Sequence, residues 1–363
     1  KVTDDVVTHL GSDVTVNPAD GLGAAIDALD KTVKTIAVDK ATVSQWAADR
    51  LEAADLTVVS IEDPCSLPKA CKNETEINGI RAAHVRDGAA LTQFLAWLDQ
   101  EAPSGALTEM TAADQLERFR RRDNMLQGLS FPTISGAGAN GAIVHYRATP
   151  ETDAAITGDM LFLVDSGGQY LDGTTDVTRT VAIGTPTKEQ RRRFTQVLKG
   201  HIALADARFP EGTAGGQLDA FARSALWADG VDYDHGTGHG VGAYLGVHEG
   251  PQRISKASLG PPLKVGMVVS NEPGYYKTDE FGIRIENLVA VREGAAPDGA
   301  EKPLFEFETL TLAPIDLRLV DTGLLTHSEK EWLNAYHTQV RDTLSPLVGE
   351  EIAPWLAEAT RAI

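Results

Sequence analysis

Long apolar runs, cysteine and positive charge are all scarce in this 363-residue chain. No apolar stretch approaches the ~18–20 residues that span a bilayer as a helix, so no membrane-crossing helix is expected. Two cysteines, Cys65 and Cys71, are too few for a disulfide framework or a thiolate zinc site, and free thiols in a reducing cytoplasm fit them better. Lys and Arg number 33 against 52 Asp and Glu, a formal charge of −19. Such a surface repels phosphate backbones and anionic lipid, so neither nucleic acid nor a membrane is an expected partner. The absence of a G-x-S-x-G elbow leaves a serine hydrolase without an anchor. No signal-peptide pattern opens the chain, yet it starts at Lys1 without a Met. The true N-terminus, with any targeting signal, is therefore expected to lie outside this sequence.

What is present reads as more than one domain. A hydrophobic fraction of 42% with 23% charged residues is that of a globular protein, and the length favours two or more domains. Residues 13–16, 35–38 and 56–61 read as strands and residues 23–29 and 42–51 as helices, an α/β alternation with parallel pairing. The proline-bearing stretch 63–72 reads as a linker. A long helix over 74–99 carries Ile77, Ile80, Leu91, Phe94, Leu95 and Leu98 at helical spacing, and a second helix is expected over 112–127. Short Val-, Ile- and Tyr-rich strands with glycine turns follow to about residue 291, an α+β pattern. Residues 305–363 begin strand-like and end in helices over 329–344 and 353–361. The expected boundaries are 1–68, 69–300 and 301–363, the first being the end of an α/β domain whose beginning is absent.

Four carboxylates stand in matched settings. The run from Gly158 through Asp165 to Tyr170 resembles the run from Gly266 through Glu272 to Tyr276: glycine, apolar strand, carboxylate, glycine turn, tyrosine. Each then reaches a second acid in a strand-like run, Asp176 in one and Glu286 in the other. A solvated strand face or an ion pair accounts for any one of them. Four converging acids would need strong positive charge, which divalent metal supplies.

Histidine is the second ingredient. The run His235-Gly-Thr-Gly-His239-Gly-Val-Gly is too glycine-rich for a helix and lets the backbone approach a ligand closely. His248 follows in Gly-Val-His-Glu-Gly-Pro and His145 in Ala-Ile-Val-His-Tyr, and all four histidines are read as lying in glycine-bounded strands. Carboxylates with one imidazole form a hard, oxygen-rich set suited to Mn, Fe or Co, and bridging carboxylates hold paired cations in hydrolytic sites. Gly136-Ala-Gly-Ala-Asn-Gly141 matches a dinucleotide fingerprint, but a strand-like run follows it where the fingerprint requires a helix.

These stretches resemble the group formed by aminopeptidase P, prolidase and methionine aminopeptidase. The order Asp165, Asp176, His239, Glu272, Glu286 looks like that group's five metal ligands, over about residues 72–291. The nine-residue step from His239 to His248, with the tail motifs Glu306-Phe-Glu-Thr-Leu-Thr-Leu-Ala-Pro-Ile and Glu331-Trp-Leu-Asn-Ala-Tyr-His, is most similar to the long Xaa-Pro aminopeptidases. The resemblance implies an α+β pita-bread catalytic domain, preceded by part of a creatinase-like N-terminal α/β domain and followed by a C-terminal extension that could cover a dimer interface. It implies removal of an N-terminal residue from peptides with proline second, by a cytoplasmic homodimer. Two divalent metals are implied, Mn(II) first, with Co(II), Zn(II) and Fe(II) as alternatives. Asp165 and Asp176 would bind one metal, Asp176 and Glu286 would bridge, and His239 and Glu272 would complete the second. Glu272 would also take the proton of the attacking water. His145 and His248 would hydrogen-bond the substrate and its developing charges, and His235, Tyr276 and Arg284 would line the proline pocket. A dipeptide-cleaving prolidase and a non-catalytic binding module are the competing readings. The chain departs from the long form at its front, where only the last part of the N-terminal region is present.

Overall fold

Two units, Lys1–Ser66 and Leu67–Ile363, make up the protein, and the computed structural model describes residues 2–29, 32–257 and 260–363. The first unit holds α1 (Asp4–Leu10), α2 (Leu22–Asp27), β1 (Thr35–Val38), α3 (Gln45–Ala53) and β2 (Thr57–Ser60). β1 and β2 pair in parallel, Thr35 opposite Thr57, with α3 as the crossover. Ser44 caps α3 by accepting the Ala47 N–H. Arg50 of α3 reaches α2, pairing with Asp27 and donating to the Gly23 carbonyl. Residues 13–16, expected as a strand, are irregular and exposed. Among the described residues no strand lies beside them, and propensity without a partner does not make a strand.

The helix α4 (Ser66–Ala70) begins at the boundary, and the second unit then repeats one plan twice. Two helices lead: α5 (Glu74–Glu101), started by a reciprocal Asn73–Glu76 capping box, and α6 (Glu109–Arg120). The second helix ends earlier than expected, because Asp123 turns the chain and residues 126–129 pair as β3 (Leu126–Leu129). After β4 (Ile134–Ala137) come β5 (Met160–Ser166), the short β6 (Gly168–Tyr170) and β7 (Gly173–Thr174), and β8 (Val177–Ile183). β5 pairs with β8 and β6 with β7, both antiparallel. A second helix pair follows, α7 (Lys188–Ala205) and α8 (Gly215–Trp227), with β9 (Arg208–Pro210) between them. The glycine-rich run then supplies β10 (Gly238–His239), which pairs with β11 (Arg253–Ile254).

The strand plan now recurs. β12 (Val268–Asn271) pairs with β15 (Asn287–Glu293), enclosing the hairpin of β13 (Gly274–Lys277) and β14 (Phe281–Arg284). β16 (Leu304–Thr309) extends the second sheet between β15 and β9. The chain closes with α9 (His327–Val348) and α10 (Ala353–Ala359). These last helices belong to the core: Leu333, Tyr336, Val340 and Leu344 pack in one cluster with Val197 of α7 and Ile283 of β14. Among the described residues no helix is long and apolar enough to cross a membrane.

Candidate metal centre

In each half the acids sit where the outer strands open into the inner hairpin. Asp165 is the penultimate residue of β5, and Asp176 directly precedes β8. Glu272 directly follows β12, and Glu286 directly precedes β15. The two halves meet through β8. The Glu286 N–H donates to the Thr178 carbonyl at 3.1 Å, and Thr180 Oγ1 both donates to the Arg284 carbonyl and accepts its N–H, each at 3.0 Å. That contact gathers four acids from two strand pairs.

His239 arrives from the glycine-rich run because Gly238 lets the chain press against β12. A Cβ there would lie 2.0 Å from the Ser270 carbonyl. Ser270 Oγ accepts the His239 N–H at 2.9 Å and donates to Glu272 Oε1 at 3.0 Å. His239 Nδ1 donates to the Gly240 carbonyl at 3.0 Å. Its Nε2 then faces Asp176 Oδ2 at 3.4 Å and Glu272 Oε1 at 3.6 Å.

A cavity of about 480 Å3 opens on this cluster. Asp165, Asp176, His239, Glu272 and Glu286 all line it, as do His145, His235, His248 and Arg284. Tyr276 stands behind the wall: its hydroxyl accepts from Arg284 Nη1 at 2.7 Å and donates to His235 Nε2 at 2.9 Å, while His235 Nδ1 donates to the Gly236 carbonyl. Arg284 Nη2 pairs with Asp165 Oδ2 at 2.6 Å. The His248 ring meets the His239 ring edge-on, centroids 4.2 Å apart.

Three histidines differ from expectation in backbone but not in neighbourhood. His145, read as strand, lies in a turn after the 3-10 segment Gly138–Ala142, and His235 and His248 lie in bends. The turn at His145 follows from its surroundings. Tyr146 donates to buried Glu109, which also accepts from Asn140 and the Ala137 N–H. The Val144 carbonyl accepts from Arg284 at 3.4 Å. Of the local main chain, the Ala137 N–H and the Val144 carbonyl thus find side-chain partners.

Crowding and burial act together on the acids. Burial, then Asp165, pushes Asp176 up to about 6. Burial raises Glu272 to about 7, although His239 and Arg284 oppose it. Burial and then Asp176 hold Glu286 well above the usual carboxylate range. Burial alone would lower His239, but Asp176 and Glu272 outweigh it and raise the imidazole to about 9. His235 goes the other way, to about 3, through burial and the Arg284 charge.

Metal fits this arrangement. Asp176, His239 and Glu286 offer ligand atoms within 4.8 Å of one another. Asp165 Oδ1 is buried without a hydrogen-bond partner, which is costly unless a cation meets it. The donor set, carboxylate oxygens with one imidazole, is that of a hard divalent ion.

Sequence reasoning passed over Thr178 and Ser270, which orient two of the acids. Thr178 Oγ1 donates to Glu286 Oε2 at 2.7 Å and accepts from Arg284 Nε. A signal existed: Asp176, Thr178 and Thr180 alternate, as do Ser270 and Glu272, so each set shares one face of its strand.

Residues 78–293 match metallopeptidase family M24, residues 303–363 the C-terminal region of that family, and residues 1–76 the creatinase/prolidase N-terminal domain. A probable Xaa-Pro aminopeptidase P of Laccaria bicolor is 48% identical over 355 residues, covering 95% of this chain and 55% of that protein. Aminopeptidase P2 of Arabidopsis thaliana is 50% identical over 309 residues, covering 84% of this chain and 44% of that protein. The chain thus spans about half the length of the curated relatives it matches. The crystal structure of a cytosolic X-prolyl aminopeptidase from Caenorhabditis elegans, with a di-nuclear active site, superposes with a TM-score of 0.89 at 36% identity, over 99% of this chain and 60% of that one. The fold is the expected one, an α+β pita-bread domain with a creatinase-type domain N-terminal to it.

Proposed function

This chain belongs to metallopeptidase family M24, and from that membership we propose that it hydrolyses the bond between an N-terminal residue and a following proline. The observation that carries the reading is the convergence of Asp176, His239 and Glu286 in a cavity also lined by Asp165, Glu272 and three further histidines. Asp165, Asp176, His239, Glu272 and Glu286 would hold two divalent ions between them, with Asp176 and Glu286 serving both. Mn(II) is the first choice, with Co(II), Zn(II) and Fe(II) as alternatives. Metal bound there supplies Lewis acidity to the scissile carbonyl and lowers the pKa of the attacking water.

The chain's own groups do the rest. Glu272, oriented by Ser270, takes the proton of that water. His145 and His248 offer N–H groups to the developing oxyanion and the leaving imide nitrogen. The bonds from Arg284 to Tyr276 to His235 fix an imidazole that burial keeps neutral. An uncharged ring held in one orientation is a suitable wall for the apolar proline ring. The same reading makes the protein a cytoplasmic homodimer. The compartment is supported by the cytosolic Caenorhabditis elegans relative and the free cysteines, the dimer by family resemblance alone.

The test is release of the first residue from an Xaa-Pro-Xaa tripeptide, with and without Mn(II), beside an Xaa-Ala control and an Xaa-Pro dipeptide. Mn-dependent cleavage of the proline tripeptide is the expected result. Cleavage of the dipeptide alone would make the protein a prolidase. No turnover of any peptide by a full-length chain holding two metals would contradict a catalytic role and leave a binding module.

A further inference from the structure

Arg179, on β8, is wholly buried, and every nitrogen of its guanidinium has a partner. Nη1 donates to the carbonyls of Glu286 at 2.7 Å and Thr178 at 2.9 Å. Nη2 donates to Asn287 Oδ1 at 2.8 Å and, at 2.9 Å each, to the Ala313 carbonyl and the Tyr336 hydroxyl. Nε donates to the Pro314 carbonyl at 2.9 Å. Among the described residues no carboxylate forms an ion pair with it. A buried cation without a counter-ion is costly, and packing alone would be served as well by an apolar residue of similar size.

Its partners fall into two groups. Thr178, Glu286 and Asn287 belong to the acid cluster or flank it. Ala313, Pro314 and Tyr336 belong to the C-terminal region matched over residues 303–363. The frame extends further, since Asn287 Nδ2 donates to His201 Nε2 at 3.2 Å and His201 Nδ1 donates to the Asn271 carbonyl at 3.1 Å, next to Glu272. The Tyr336 ring stacks on Trp332 with centroids 5.4 Å apart, which fixes where its hydroxyl stands.

We propose that the C-terminal region is a working part of the metal centre: Tyr336 and the 313–314 carbonyls orient Arg179, and Arg179 orients the main chain of Glu286. Tyr336 and Arg179 are positioning residues, acting on the metal through Glu286. The inference rests on the reading of Glu286 as a bridging ligand. It explains why a region that contributes no residue to the cavity packs into the same core as the site-bearing strands.

The experiment is a Co(II) titration, followed by calorimetry and by the visible ligand-field bands, on the wild-type chain and three variants. Tyr336→Phe keeps the ring and removes the hydroxyl, Arg179→Lys keeps the charge and loses the fork, and Val340→Ala loosens α9 without touching a polar group. The wild type is expected to bind two Co(II). Tyr336→Phe and Arg179→Lys are expected to weaken the second about tenfold and to shift its bands, the usual effect of removing an outer partner of a ligand. Val340→Ala is expected to melt earlier with wild-type bands and affinity. Wild-type binding in both polar variants, against a wild type that holds two metals, overturns this inference alone. A wild type that fails to bind two Co(II) overturns the proposed ligand set and this inference with it.

Discussion

Thr178 grips Glu286 at two points: its hydroxyl donates to Glu286 Oε2 at 2.7 Å, and its carbonyl accepts the Glu286 N–H at 3.1 Å. The first contact aims a carboxylate and the second seams the two halves of the unit. Thr178→Val keeps the shape and the seam but loses the aim. The expected result is a loss of about 1 kcal/mol in stability and about tenfold in metal affinity. Chemical denaturation and a Mn(II) titration on the same preparation separate the two.

Glu286 itself sits in tension with the metal-free fold, because burial and neighbouring acids hold its pKa far above the usual range. Glu286→Gln removes that repulsion while leaving an acceptor for Thr178. Without metal the variant is expected to melt a few degrees above wild type. With Mn(II) the order reverses, since a ligand at ~100 times its Kd adds about 2.7 kcal/mol to the wild type and little to the variant. Thermal melts with and without Mn(II) check the crossing.

His235 is held by Tyr276 and by the Gly236 carbonyl rather than by a carboxylate, which lies 4.0 Å away at Glu272. His235→Ala should therefore leave metal content intact and lower kcat/KM on a proline tripeptide about 10–200-fold, the range for a lost pocket contact. Steady-state kinetics on tripeptides with proline or alanine second would show whether the loss is specific to proline.

Much of this was legible in the sequence where the cause is local. The strand Thr35–Val38 lies where its β-branched run indicated, and α5 has the face that its apolar spacing required. The order of acids and histidines was enough to nominate residues that do line one cavity. What could not be read depends on partners distant in sequence. His145 lies in a turn beside Tyr146, whose partner Glu109 is 37 residues away, and residues 13–16 have no strand beside them among the described residues. Arg179 left no signal, since most of its acceptors are more than 100 residues away and it points to the opposite face of β8 from Asp176 and Thr178.

Acid should unfold the protein through histidines remote from the cavity. His337 is fully buried, its Nε2 accepts the Ile315 N–H, and burial with the nearby Arg179 charge lowers it to about 3. In the unfolded chain it takes a proton near pH 6.5, while the folded chain does not until about pH 3. The contribution of His337 to stability is thus unchanged above pH 6.5 and falls through the window from 6.5 to 3 by about 1.4 kcal/mol per pH unit. His337→Gln, which retains an acceptor, should flatten the profile by that slope. Urea denaturation midpoints at pH 7, 6 and 5 give the comparison.

The most direct measurement is the metal content of the chain after Mn(II) loading and desalting, for the wild type and for Asp176→Ala. Two manganese ions per wild-type chain are expected, with at most one and no peptide turnover in the variant, because Asp176 is proposed as a bridge between the ions. A wild type holding one or none, or an Asp176→Ala variant that still holds two, would contradict a dinuclear centre built from these five residues.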